Sequence, residues 1–208
     1  MPANSIGRRS AQTALYNILE MYVRLLAPIL SFTAEEVWQN MRAMFGDMRK
    51  ESIFLEEKYT IAIPDGQKDW SKIWAIRENV TAELEKLRVA KVIGANLAAS
   101  VFLYCNDEIY NLLQKFTPQN SKESELRFVF ITSCVEIFHE NEKPQDAVEA
   151  SGIQGVWLKA IPSPHPKCPR CWHYRPQEEF GTNNDYPELC SRCVTNITTE
   201  EGENRLFA

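Results

Sequence analysis

Four of the six cysteines fall into two short pairs: Lys167-Cys168-Pro169-Arg170-Cys171-Trp172, then eighteen residues from Trp172 through Leu189, then Cys190-Ser191-Arg192-Cys193. A Cys-x2-Cys knuckle bends the backbone enough for both its sulfurs to face one point, so two knuckles can close a tetrahedron of thiolates around one soft divalent ion. Zinc is the expected ion, one per chain. A shell of Cys168, Cys171, Cys190 and Cys193 leaves no position for water or substrate, and the centre is therefore expected to hold structure and do no chemistry. Two disulfides or idle thiols are the competing use of the same residues, and His165 and His173 each stand where they can replace a sulfur. Cys105 and Cys134 lack a knuckle partner and read as small core residues without a role.

The elements that must carry this centre are legible from periodicity. Ala11, Leu15, Ile18, Tyr22, Leu25, Leu26 and Ile29 recur at threes and fours, which predicts a helix with one buried stripe that kinks or stops at Pro28. A second helix is expected from Thr33, with Thr33 as cap, Glu36 at its third position and Phe32 stapled to Val37. Residues 46–68 read as a connection with a turn at Pro64-Asp65-Gly66. A third helix follows over Trp70, Ile73, Trp74, Arg77, Val80, Leu84 and Leu87, ending near Gly94. Three such helices make a bundle, with Trp38, Trp70, Trp74 and Tyr22 read as core. Beyond Gly94 the pattern turns mixed: strands at 99–104, 127–131, 135–138 and 156–160, and a short helix over 107–116. The expected class is α+β, with a helical region at 1–98, a small mixed α/β subdomain at 99–160 and a four-cysteine finger with a short tail at 161–208.

Composition bounds the partners. The 208 residues are 44% hydrophobic and 25% charged, with a formal charge of -5. No run approaches the apolar length of a membrane span, the start at Met1-Pro2-Ala3-Asn4 has no secretory pattern, and six reducible cysteines suit the cytoplasm, which is the expected location. Residues 99–160 carry five Lys/Arg against nine Asp/Glu, whereas residues 1–98 carry thirteen against twelve. The acidity sits mainly in the middle, so a broad non-specific nucleic-acid surface is excluded while local RNA contacts at either end are not. Arg8 and Arg9 precede the first buried turn without an acidic neighbour in sequence, and read either as a solvated helix start or as phosphate contacts.

Two segments carry a family resemblance. Arg8-Arg9-Ser10-Ala11-Gln12-Thr13-Ala14-Leu15 and Leu26-Ala27-Pro28-Ile29-Leu30-Ser31-Phe32-Thr33-Ala34-Glu35-Glu36-Val37-Trp38 resemble the anticodon-binding helical domain of class I aminoacyl-tRNA synthetases, a signal shared by the isoleucine, valine and leucine enzymes. Lys167 through Tyr174 with Leu189 through Cys193 resembles the C-terminal zinc finger of the bacterial isoleucyl enzymes. Trp70-Ser71-Lys72-Ile73-Trp74 through Lys91-Val92-Ile93-Gly94 is similar to the family's long helix and following turn. Signatures of the His-Ile-Gly-His and Lys-Met-Ser-Lys-Ser type, which mark the family's catalytic domain, do not occur in this sequence, nor does an editing domain.

The resemblance implies a tRNA-binding part of an isoleucine-tRNA ligase. Its partners would be the anticodon arm of isoleucine tRNA and the remaining domains of the synthetase, with no DNA and no membrane. ATP and magnesium would belong to the parent's catalytic domain, and no catalytic residue is expected here. At the family's finger positions, Arg170 would meet phosphate or a base and Trp172 would stack, with Lys167 and Arg192 as further contacts. The structural reading of the same pair has Trp172 covering the sulfurs and Arg170 offsetting their charge. A freestanding RNA-binding module and a protein-docking module are the alternative functions.

Overall fold

Helix α1 (Ile6–Leu26) ends where Pro28 interrupts the amide ladder, and the chain turns at once into α2 (Ser31–Phe45). In this computed structural model, which describes residues 1–46, 49–61, 70–119 and 121–206, the turn is closed by the amides of Ile29 and Leu30 on the carbonyl of Leu26. The second helix therefore starts two residues before Thr33, and Leu30 at its N-cap position offers no side-chain acceptor. Phe32, expected as a staple, is 93% exposed. Glu35 supplies the anchoring that was expected of Glu36: its carboxylate accepts from Ser52 Oγ at 2.8 Å and from the Ile53 amide at 3.0 Å, fixing the one-turn 3-10 helix Ile53–Leu55. The turn expected at Pro64-Asp65-Gly66 lies outside the described residues.

Residues 7–66 form one compact unit and residues 67–208, with 1–6, another. The first is organised around Trp38, fully buried among Val23, Ala27, Ala34, Met41 and Ile53. Its indole Nε1 donates to the Lys50 carbonyl at 3.0 Å, and the guanidiniums of Arg24 and Arg49 lie 4.9 and 5.5 Å from its ring. Those two arginines both bond the buried carboxylate of Glu20. A buried carboxylate is tolerable only with such partners. The stripe read as buried on α1 is instead its exposed side: Ala11, Leu15, Ile18, Tyr22, Leu25, Leu26 and Ile29 all face outward, Tyr22 with 54% of its surface open, and the helix buries Glu20 and Val23.

The second unit is a four-stranded sheet in the order β2-β1-β4-β3, with β1 (Ala99–Cys105) parallel to β2 (Cys134–His139) and β4 (Val156–Pro162) antiparallel to β1 and to β3 (Val148–Glu149). Helix α3 (Trp70–Val89) buries Ile73, Ile76, Val80 and Leu84 in this sheet's core, together with Val101, Leu103, Val135 and Leu158. The stripe expected to complete a helical bundle is thus the cover of a sheet. Helix α4 (Asp107–Gln114) is capped by Asn106, whose Oδ1 accepts from the Ile109 amide at 3.0 Å. Gly155 packs beneath that cap in a left-handed conformation at φ 74°, and a Cβ there would lie 2.0 Å from the side-chain Nδ2 of Asn106, so a larger residue would displace the cap.

The run Arg127-Phe128-Val129-Phe130-Ile131, β-rich by composition, is not a strand. It forms most of the short helix α5 (Leu126–Phe130), which buries Leu126 and Phe130 four residues apart and ends on Ile131 in the left-handed region. Parallel strands β1 and β2 need a crossover connection, and that requirement outweighs local β-propensity.

Candidate metal centre

The first knuckle is shaped by its own backbone. Cys168 and His173 are tied amide to carbonyl at 2.9 Å, the Trp172 amide returns to the Cys168 carbonyl at 2.9 Å, and Lys167 bridges Tyr174. Trp172 occupies the left-handed region at φ 64° to make this turn. The second knuckle is the start of α6 (Ser191–Thr198): Cys190 stands at its N-cap, and Cys193 lies within its first turn. Leu189, Val194, Phe180 and Tyr186 pack around the sulfurs.

The four sulfurs of Cys168, Cys171, Cys190 and Cys193 lie within 4.8 Å of one another. Cys168 to Cys193 and Cys171 to Cys190 are each 3.8 Å apart. A tetrahedron with metal-sulfur bonds of about 2.3 Å has edges of about 3.8 Å, so the cage has the size that zinc requires. A disulfide needs about 2.05 Å, and all six cysteines are free. Neither histidine joins the cluster: His173 places Nδ1 3.2 Å from the Cys171 carbonyl, and the four-sulfur group contains no imidazole.

The electrostatics favour a cation. The neighbouring Cys171 sulfur and burial both push the Cys190 thiol well up, and burial raises Cys193 to about 11, while Cys171, hydrogen-bonded by Cys190, is held well below the ordinary thiol value. A divalent cation allows all four sulfurs to be thiolates. By contrast, burial alone raises Cys105 to about 12, and Cys134 is also driven up chiefly by burial. Cys105 is a buried core thiol and Cys134 a half-buried one at the head of β2, and raised values leave both in the unreactive thiol form.

The finger is bolted to the sheet by charges that the sequence reading did not single out. Arg175 pairs with Glu179 at 2.6 Å and with Glu123 at 2.5 Å, and Glu123 also pairs with Arg127. Ser191, next to Cys190, donates to Glu179 at 3.1 Å, and the Tyr174 amide donates to Ser133 at the head of β2 at 2.6 Å. The i,i+4 spacing of Glu123 with Arg127 and of Arg175 with Glu179 is visible in sequence, but the link between the two pairs spans 52 residues and is not.

The expected contact residues divide. Trp172 is 59% exposed, with the Lys167 ammonium 5.0 Å from its ring. Arg170 is exposed, and its charge works against the burial that raises the Cys193 thiol. Arg192 is engaged in a fork with Glu203 at 2.5 and 3.0 Å and lies 4.9 Å from the Phe128 ring. Arg8 and Arg9 are exposed in the first turn of α1, in the other unit or at its edge.

A helical anticodon-type segment followed by a sheet that carries a four-cysteine finger defines a class of tRNA-ligase parts. Residues 1–103 match the anticodon-binding domain of tRNA ligase, and residues 166–196 match the zinc finger found in FPG and IleRS. An isoleucine-tRNA ligase of Nitrosococcus oceani is 45% identical over 99% of this chain and 21% of the relative; those of Ruthia magnifica and Pseudomonas putida GB-1 are 43% and 42% identical with the same coverage. The chain belongs to the class I aminoacyl-tRNA synthetase family and corresponds to the anticodon-binding and zinc-finger region of bacterial isoleucyl-tRNA synthetase. It spans about one fifth of the length of these relatives. Among the described residues no helix is long and apolar enough to cross a membrane.

Proposed function

We propose that this chain grips the anticodon arm of isoleucine tRNA on behalf of an isoleucine-tRNA ligase whose ATP-dependent chemistry resides in other domains, and that it does so in the cytoplasm. The observation that carries this reading is the half-open Trp172 indole, presented beside Lys167 on a knuckle whose own backbone hydrogen bonds fix its shape. Anticodon bases are unstacked and single-stranded, and proteins take such bases on aromatic faces. One structural zinc on Cys168, Cys171, Cys190 and Cys193 would hold the indole in place without taking part in chemistry.

Lys167 is assigned to backbone phosphate. Arg170 lies between the cage and solvent, where it offsets thiolate charge and remains close enough to the surface to meet RNA. Arg192 can reach a phosphate only by leaving Glu203, so its contribution is smaller. Arg8 and Arg9 open a helix that has no acidic residue in its first turn, a position where positive charge opposes the helix macrodipole. That arrangement suits phosphate contact better than helix stability.

The remaining domains of the synthetase are the second proposed partner. Leu15, Tyr22, Ile29, Phe32 and Met44 are all more than half exposed within one small helical unit, and such apolar surface calls for a covering partner. The phosphate role of Lys167 is tested by titrating anticodon arms across salt concentrations. Lys167→Ala is expected to weaken matched and mismatched arms alike and to reduce the salt slope by about one; an unchanged slope would remove Lys167 from the interface.

A further inference from the structure

Trp74 has the spacing of a core residue but keeps 48% of its surface exposed. It stands one turn beyond Trp70, whose ring is 6.2 Å away and is itself packed edge-on against the buried Phe116. Across from it α5 ends on Ile131, a β-branched residue at φ 58° that is also 48% exposed. Side chains branched at Cβ avoid this region, and a backbone held there at a surface is a feature associated with binding sites. Trp70, Trp74, Arg77, Phe128, Val129 and Ile131 line an open cleft of about 630 Å³ between the two helices.

Arg77 gives the cleft its chemistry. Its Nε donates to the Val129 carbonyl at 3.0 Å, which fixes the guanidinium 5.2 Å from the Trp74 ring. Among the described residues Arg77 has no carboxylate within ion-pair distance, whereas Arg127, Arg192 and Arg205 around Phe128 are paired with Glu123 and Glu203. The charge left for a ligand in the cleft is therefore one fixed cation beside an exposed indole. Phe128 also touches His173, at 5.9 Å, the residue after Trp172. The cleft thus shares a wall with the finger.

We propose that this cleft takes an unstacked nucleobase of single-stranded RNA, stacked on Trp74 with its phosphate near Arg77. The proposal rests on the anticodon-arm reading and extends it: a strand held by Trp172 would continue past Phe128 to a second platform. Stacking on aromatic and guanidinium planes is how proteins hold splayed bases, and it tolerates any base identity. Trp74 therefore supplies affinity rather than sequence preference.

The test uses the 208-residue chain, zinc-loaded, with anticodon arms of isoleucine tRNA carrying single 4-thiouridine substitutions in the loop. Photocrosslinks to wild type are expected in residues 70–77 or 127–131. Trp74→Ala should weaken the arm about five- to hundredfold, and Trp74→Phe should restore most of it. Crosslinks confined to other segments overturn the proposal whatever the variants do, and so does unchanged affinity in a folded Trp74→Ala. If Trp172→Ala loses affinity while Trp74→Ala does not, the anticodon reading stands and the cleft is left to a protein partner. If wild type binds no arm at all, both readings fall.

Discussion

Glu20 shows how a single residue sets the stability of the helical unit. Burial works to raise its pKa, but hydrogen bonds from Arg24, Tyr16 and Arg49 outweigh that and hold it below the ordinary value of 4.5. A carboxylate with a depressed folded pKa contributes stability that is full above the unfolded value and lost as pH falls through the folded one. Thermal melts of the helical unit should therefore be flat from pH 7 to about 5 and decline below 4.5, and Glu20→Gln should remove most of that decline. Among the described residues, Glu20→Ala leaves Arg49 without a carboxylate and Arg24 with Glu56 alone at 3.5 Å, and is expected to destabilise the unit by about 3 kcal/mol. An unchanged acid limb in Glu20→Gln would show that Glu20 is not the titrating group. The sequence hides the burial of Glu20, because it is a carboxylate by type and its partner Arg49 is 29 residues away. The cysteines are the opposite case: their geometry is local to each knuckle, so spacing alone foretold that the four sulfurs would meet.

Among the elements, the finger depends most on a single interaction. Its own apolar packing is the few residues around Leu189 and Val194, too small a core to fold without a staple. Cys168→Ser is expected to drop the metal content from about one zinc per chain toward zero and to abolish amide protection over residues 164–195, while α3 and the sheet stay protected. Full zinc stoichiometry in that variant would refute the four-sulfur cage. The helices and strands that a strong pattern announces, α1, α3, β1, β2 and β4, are readable from spacing, but the spacing places the buried face of α1 on the wrong residues. The misreadings came where tertiary demands overrode local preference. Residues 127–131 have strand-like composition yet serve as part of the crossover between parallel strands. The start of α2 moved because the Leu26 carbonyl closes the Pro28 turn, leaving Thr33 no cap to make.

At the scale of the molecule, periodicity showed that α3 has a buried face but not which surface it faces, and a stripe of Ile73, Ile76, Val80 and Leu84 suits a sheet as well as a helix pair. Exposure on α1 and α2 carries the corresponding prediction. If remaining synthetase domains cover Leu15, Ile29 and Phe32, the isolated chain should bind a hydrophobic dye and self-associate, and Leu15→Lys with Phe32→Glu should suppress both without lowering the melting temperature. Loss of stability in that variant would place these side chains in the unit's own core. The central claim, that a zinc-held finger recognises the anticodon arm, is tested most directly by titrating zinc-loaded wild type and Trp172→Ala with isoleucine anticodon arms and with arms of another anticodon at low salt. Wild type should prefer the matched arm, and Trp172→Ala should lose about 1 to 3 kcal/mol of affinity and much of that preference. Equal binding of both arms by wild type, or unchanged affinities in a zinc-loaded Trp172→Ala, would contradict it.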